Sequence, residues 1–90
     1  MGPVRASNIL YHELIGLEVS VFSSPNLSEV GIKGRVVYET RNCLIIERGD
    51  RRSLIAKSGR LFLFRVDDGS SVLVLGDRLV GRPEERVKKA

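Results

Sequence analysis

One cysteine, one histidine and no tryptophan occur among the ninety residues. A single cysteine forms no internal disulfide, and one cysteine with one histidine falls short of the four ligands of a structural zinc site, so neither staple holds this fold. No apolar run approaches the roughly 18 residues that span a bilayer, and the opening MGPVRASN lacks the apolar centre of a secretory signal. These absences point to a cytoplasmic protein with no membrane partner. They also remove the material for a metal-dependent or thiol enzyme. His12, beside Glu13, reads as a packed or capping residue, and Cys43 as a small buried one. The expectation is a protein with no catalytic residue, no metal ligand and no cofactor of its own.

What is present describes a small folded domain. Apolar residues make up 42% of the chain and charged ones 29%, which is too hydrophobic for a disordered segment. A chain of this size buries only about 60–65% of its unfolded surface, so its core must be compact. The net charge of +4 is unevenly spread. Residues 33–60 hold eight basic against three acidic side chains and residues 81–90 hold four against two, whereas residues 1–32 carry one Arg against three Glu. Clustered Lys and Arg with a pI near 9.7 are the electrostatic footprint of a nucleic-acid binder.

The stretch GIKGRVVYETRNCLIIE, from Gly31 to Glu47, reads as two strands joined by a polar turn. Gly34 inside the first strand predicts a sharp bend or a close backbone approach, and Asn42 predicts a left-handed turn residue. Further strands are predicted over Leu17–Phe22, Arg51–Lys57, Leu61–Val66 and Ser71–Leu75, separated by Gly49-Asp50, Ser58-Gly59 and Asp67-Asp68-Gly69-Ser70. Leu79-Val80 is expected to add a few paired residues. Phe62 and Phe64 share one face of the most apolar strand and should fill the interior. Ile9, Leu10, Tyr11, Leu14 and Ile15 recur at helical spacing after a Ser7 or Asn8 cap, and Pro83 opens a second short helix. The fold expected is all-β: a six-stranded antiparallel barrel at 17–80, between an N-terminal arm with a short helix at 1–16 and a C-terminal helix or tail at 81–90.

The candidate nucleic-acid-binding residues are Lys33, Arg35, Arg41, Arg51, Arg52, Lys57, Arg60, Arg82, Arg86, Lys88 and Lys89. The planar arginine fork bonds a phosphate through two donors. Aromatic residues are few, and Tyr38 alone stands as a candidate for stacking on a base or for packing at the barrel edge. Recognition is therefore expected to rest on phosphates and nucleic-acid shape more than on base edges. The stripe Ile9, Leu10, Leu14 and Ile15 has two readings, docking on the chain's own barrel or meeting a partner.

Three blocks, HELIG at His12–Gly16, GIKGRVVYETRNCLIIE at Gly31–Glu47 and GRPEERVKK at Gly81–Lys89, resemble the archaeal ribonuclease P protein component 1 family. That family is the archaeal counterpart of a eukaryotic ribonuclease P and MRP subunit. Tyr38 and Cys43 depart from its usual aspartate and threonine. The resemblance implies a Sm-like or SH3-like form of the six-stranded barrel, with the basic residues above as RNA contacts. It implies a non-catalytic, RNA-binding subunit of the ribonucleoprotein that removes the 5′ leader from precursor tRNA, with magnesium on the catalytic RNA. It implies as partners the ribonuclease P RNA, a zinc-ribbon protein subunit, the other ribonuclease P proteins and, in the holoenzyme, precursor tRNA. The zinc-ribbon partner would be met by Ile9, Leu10, His12, Glu13 and Leu14. The alternative is an SH3-like or Sm-like RNA-binding or interaction protein of the ribosome or another ribonucleoprotein.

Overall fold

Alternating apolar and polar side chains, broken by glycine and aspartate turns, produce six strands: β1 (Glu18–Ser23), β2 (Lys33–Glu39), β3 (Cys43–Arg48), β4 (Arg51–Ala56), β5 (Leu61–Arg65) and β6 (Ser71–Leu75). The structure is a computed structural model and describes residues 3–87. Lys88 and Lys89, expected at an RNA surface, lie outside the described residues. All neighbouring strands pair antiparallel, in the order β4-β3-β2-β1-β5-β6.

The six antiparallel strands are those expected; among the described residues no ladder joins β4 to β6, so the sheet is open along that seam. It still curls, because Ile55 of β4 and Val74 of β6, on opposite edges, share one core cluster with Phe62 and Phe64. The edges converge just beyond the strand ends, where a β-carbon on Gly76 would collide with the Lys57 carbonyl. Bare backbone packing at that corner stands where a closing ladder would be.

Gly34 has the close-approach role expected of it, since a β-carbon there would strike the carbonyl of Glu47 on β3. The β2–β3 turn is built differently from its expectation. No described non-glycine residue has a positive φ, Asn42 included. Instead Thr40 Oγ1 accepts the Cys43 N–H at 3.0 Å, and the Asn42 carbonyl accepts the Lys57 N–H at 2.7 Å.

The terminal segments depart most from helical expectation. Residues 9–15 form a single 3-10 turn, Ile9–Tyr11, which no Asn8 side-chain cap supports. The Asn8 side-chain oxygen, Oδ1, accepts the Arg5 N–H at 2.8 Å, so it closes the preceding turn instead of capping a helix. Ile9 and Leu14 are buried in the core, which removes both from the expected partner surface. The segment expected to extend a strand at Leu79-Val80 is a 3-10 turn, Gly76–Leu79, with Leu79 fully buried. A short helix, α1 (Pro83–Val87), does begin at the proline. Its Arg86 reaches the Leu10 and His12 carbonyls at 2.9 and 3.3 Å, tying the two ends of the chain together.

Candidate nucleic-acid interface

Strand β2 carries an irregularity that sets up the site. Val36 pairs with Ile46 and Tyr38 with Ile45, so Val37 is an extra residue and the register shifts by one. Beyond this bulge the inward and outward positions exchange: Glu39 turns inward, 4% exposed, and Tyr38 turns out, 56% exposed.

A buried carboxylate needs partners, and Glu39 has two. Lys57 Nζ, whose residue is 0% exposed, lies 2.7 Å from Glu39 Oε2. Arg86 brings Nη2 to 2.6 Å from both Glu39 oxygens and Nε to 3.1 Å from Oε2. The remaining donors of Lys57 are taken by the carbonyls of Thr40, Gly81 and Arg41 at 2.8, 3.0 and 3.2 Å. Burial pushes the Lys57 ammonium below its ordinary pKa, while the Glu39 hydrogen bond opposes the shift. Two cations around one anion leave the interior with an excess positive charge. Lys57 and Arg86, expected on an RNA surface, are therefore corrected to interior residues, because their donors are spent on Glu39 and on backbone carbonyls.

The other expected RNA contacts sort by their partners. Arg60 is largely enclosed and bound to Glu29 at 3.0 Å. That pairing, with the Ser24 hydroxyl, holds the Glu29 carboxyl below the usual carboxylate range. Arg35 and Arg52 are exposed and belong to a row that crosses four strands, Glu18–Arg35–Glu47–Arg52, with alternating charge. Its closest ion pair is Arg52 to Glu47 at 2.9 Å. Arg41 faces Glu85 at 3.9 Å. Among the described residues, no carboxylate comes within 4 Å of the charged side-chain groups of Lys33, Arg51 or Arg82, all three of them exposed, although the Arg82 backbone N–H donates to Glu85 at 3.4 Å.

Sequence reasoning missed Arg48. It sits directly opposite Arg51 across the Gly49-Asp50 turn, where Gly49 has φ +61°, and it too lacks a carboxylate partner among the described residues. The two-residue turn was the available signal, since such a turn forces its flanking residues to face each other. Lys33, Arg35 and Arg48 line a shallow groove of about 390 Å³ with Glu18 and Glu47. A second cleft, of about 410 Å³, lies between the β2–β3 turn and the start of α1 and is lined by Tyr38, Arg41, Asn42 and Arg82 among others. No group of three or more His, Cys, Asp and Glu side chains among the described residues is arranged to hold a metal ion. No described helix is long and apolar enough to cross a membrane.

Comparison with known proteins adds the identity of the fold. The family model of ribonuclease P/MRP subunit p29 matches residues 7–89. Ribonuclease P protein component 1 of Methanocaldococcus jannaschii is 53% identical over 87 residues, covering 96% of this chain and 90% of that protein. The Pyrococcus horikoshii protein of the same name is 49% identical over 88 residues, covering 98% of this chain and 68% of that one. The solved structure of Mth11, a homologue of the human RNase P protein Rpp29, superposes with a TM-score of 0.61 at 49% identity, over 83% of this chain and 97% of that one. With a family match over nearly its whole length and relatives half identical to it, the chain belongs to the ribonuclease P/MRP p29 family and is a protein subunit of ribonuclease P, the ribonucleoprotein that processes precursor tRNA.

Proposed function

We propose that this subunit cuts nothing itself and binds the ribonuclease P RNA through phosphate contacts centred on the tip of the β3–β4 hairpin. The observation that carries this reading is the Arg48–Arg51 pair. Like charges directly opposite in a ladder destabilise a hairpin by roughly 0.2–1 kcal/mol, and no carboxylate among the described residues relieves them. A phosphate bridging the two guanidiniums would turn that repulsion into two charge-assisted contacts. Lys33 and Arg35 extend the same positive edge along the groove.

The partner protein in this reading is a zinc-ribbon subunit. Its docking surface is the outer side of the N-terminal segment, where Leu10, His12 and Glu13 remain accessible to different degrees and Tyr11 and Val80 add exposed apolar area. Leu10, Tyr11 and Val80 line one groove there. Magnesium belongs to the catalytic RNA, and the complex works in the cytoplasm.

The test is reconstitution of the catalytic RNA with the remaining protein subunits. Precursor-tRNA cleavage is measured at limiting magnesium, with and without this protein, because protein cations and metal ions both neutralise RNA phosphates. Stimulation by the wild-type chain, reduced for Arg48→Ala with Arg51→Ala, is expected. A folded wild-type protein that leaves cleavage unchanged would overturn the reading.

A further inference from the structure

The cleft between the β2–β3 turn and the start of α1 has chemistry that phosphate binding at the hairpin tip does not use. Tyr38 is over half exposed although tyrosine carries a large apolar ring, and the β2 bulge is what turns it outward. Arg82 and Arg41, the latter 3.9 Å from Glu85, stand at the same cleft with exposed side chains, and Asn42 offers both a donor and an acceptor. The volume, about 410 Å³, lies in the range of small-ligand sites, roughly 300–1,000 Å³.

A second feature acts from beneath. Thr40 and Arg41 line the cleft, and both of their carbonyls are held by the Lys57 ammonium. The buried Lys57–Glu39–Arg86 cluster carries one positive charge more than it neutralises. Field lines from a charge in low dielectric spread toward the nearest open surface, and Glu39 itself is one of the cleft's lining residues. The excess positive charge beneath offsets the carboxylate that Glu39 brings to the lining, and the preference for an anion comes from Arg41 and Arg82. Glu84 opposes the arginines from the lining, which matches the cleft to a single phosphate more than to a run of them.

We propose that this cleft holds one unpaired RNA nucleotide, its base stacked on the Tyr38 ring and its phosphate between Arg41 and Arg82. The proposal rests on the RNA-binding reading above and adds a site specific for single-stranded RNA. Stacking on one aromatic ring tolerates any base, so Asn42 supplies what base preference there is. A duplex keeps its bases stacked on each other and cannot use the ring.

The experiment compares a short oligouridylate with an RNA duplex of equal length, titrated against the full chain over a range of salt. Tyr38→Ala is expected to weaken oligouridylate binding by about 5- to 100-fold with the salt slope unchanged, and to leave the duplex as it was. Tyr38→Phe should keep wild-type affinity, because the ring remains. Arg82→Ala should lower the single-strand salt slope by about 0.7. The chain has two tyrosines and no tryptophan, so Tyr11→Phe leaves Tyr38 as its only source of tyrosine fluorescence, and oligouridylate should quench it. Wild-type affinity of Tyr38→Ala for oligouridylate would overturn the nucleotide site, as would equal losses on both RNAs. So would loss of a partner protein with both RNAs still bound normally. Failure of the wild-type chain to bind either RNA is a different result, and it would sink the RNA-binding reading itself.

Discussion

Lys57 with Arg86, and Arg48 with Arg51, are two pairs of cations that the same fold treats in opposite ways. The first pair is sealed inside around Glu39, and its hydrogen-bond donors go to that carboxylate and to carbonyls from five separate residues. The second pair stands in water at a hairpin tip, facing each other with no carboxylate within 4 Å among the described residues. A basic residue in a basic protein is therefore no evidence of a contact with RNA until its partners are known. The interior pair joins the N-terminal segment, the β2–β3 turn and α1 into one body, and the exposed pair keeps its charge in solvent.

The contrast can be broken most severely at Glu39. Glu39→Ala leaves two buried cations with no carboxylate, and a loss of about 3–5 kcal/mol is expected in denaturant unfolding. Equal stability of this variant and the wild type would show that the cluster is not sealed from water. Next, Lys57→Met keeps the apolar stem and leaves the Glu39–Arg86 pair neutral, but it strips a donor from the Thr40, Arg41 and Gly81 carbonyls. The expected loss is about 1–3 kcal/mol, smaller than for Glu39→Ala. Because the folded Lys57 pKa is depressed below the ordinary 10.5, the unfolded chain binds the extra proton between the two values, and this residue makes stability rise with pH across that window. Lys57→Met should remove that rise in unfolding measured from neutral to alkaline pH.

Between the two extremes lies Glu29 with Arg60, partly enclosed. Here the folded carboxyl is depressed below its ordinary value of 4.5, so its contribution is present above that pH and is lost as pH falls through the lower folded value. Glu29→Gln should cost about 1 kcal/mol or less near neutrality, since solvent screens the pair, and should flatten the acid limb of the stability curve. Smallest in stability is Arg48→Ala with Arg51→Ala, expected within about 0.5 kcal/mol of wild type. Its effect belongs to RNA binding, where each lost phosphate contact should lower the slope of log K on log salt by roughly 0.7–0.9. An unchanged slope would remove the hairpin tip from the interface.

Much of the scaffold was legible in the chain. Phe62 and Phe64 were expected inside and are fully buried, Gly34 was expected to admit a close backbone and does, and the six strands fall where alternation placed them. The helix expected over residues 9–15 failed because Asn8 closes an earlier turn, a choice between two backbone partners that spacing alone does not rank. Lys57 could have been suspected, for it lies two residues beyond buried Ile55, on the same face of the chain. Glu39 could not, because strict alternation from Val36 sends it outward.

The sequence by itself determined the number of strands, the positions of the turns and the concentration of positive charge in the middle of the chain. Each of these depends on residues only a few positions apart, through side-chain alternation, glycine geometry and composition. Tertiary structure alone decided which cations are interior and which meet solvent. That outcome depends on one extra residue in β2, which reverses the faces of Tyr38 and Glu39, and on partners 18 and 47 residues away in the chain that bring Lys57 and Arg86 to the same carboxylate. No local pattern encodes such a meeting, because a buried charge is tolerated only when the whole fold delivers its counter-charge and its carbonyls to one place.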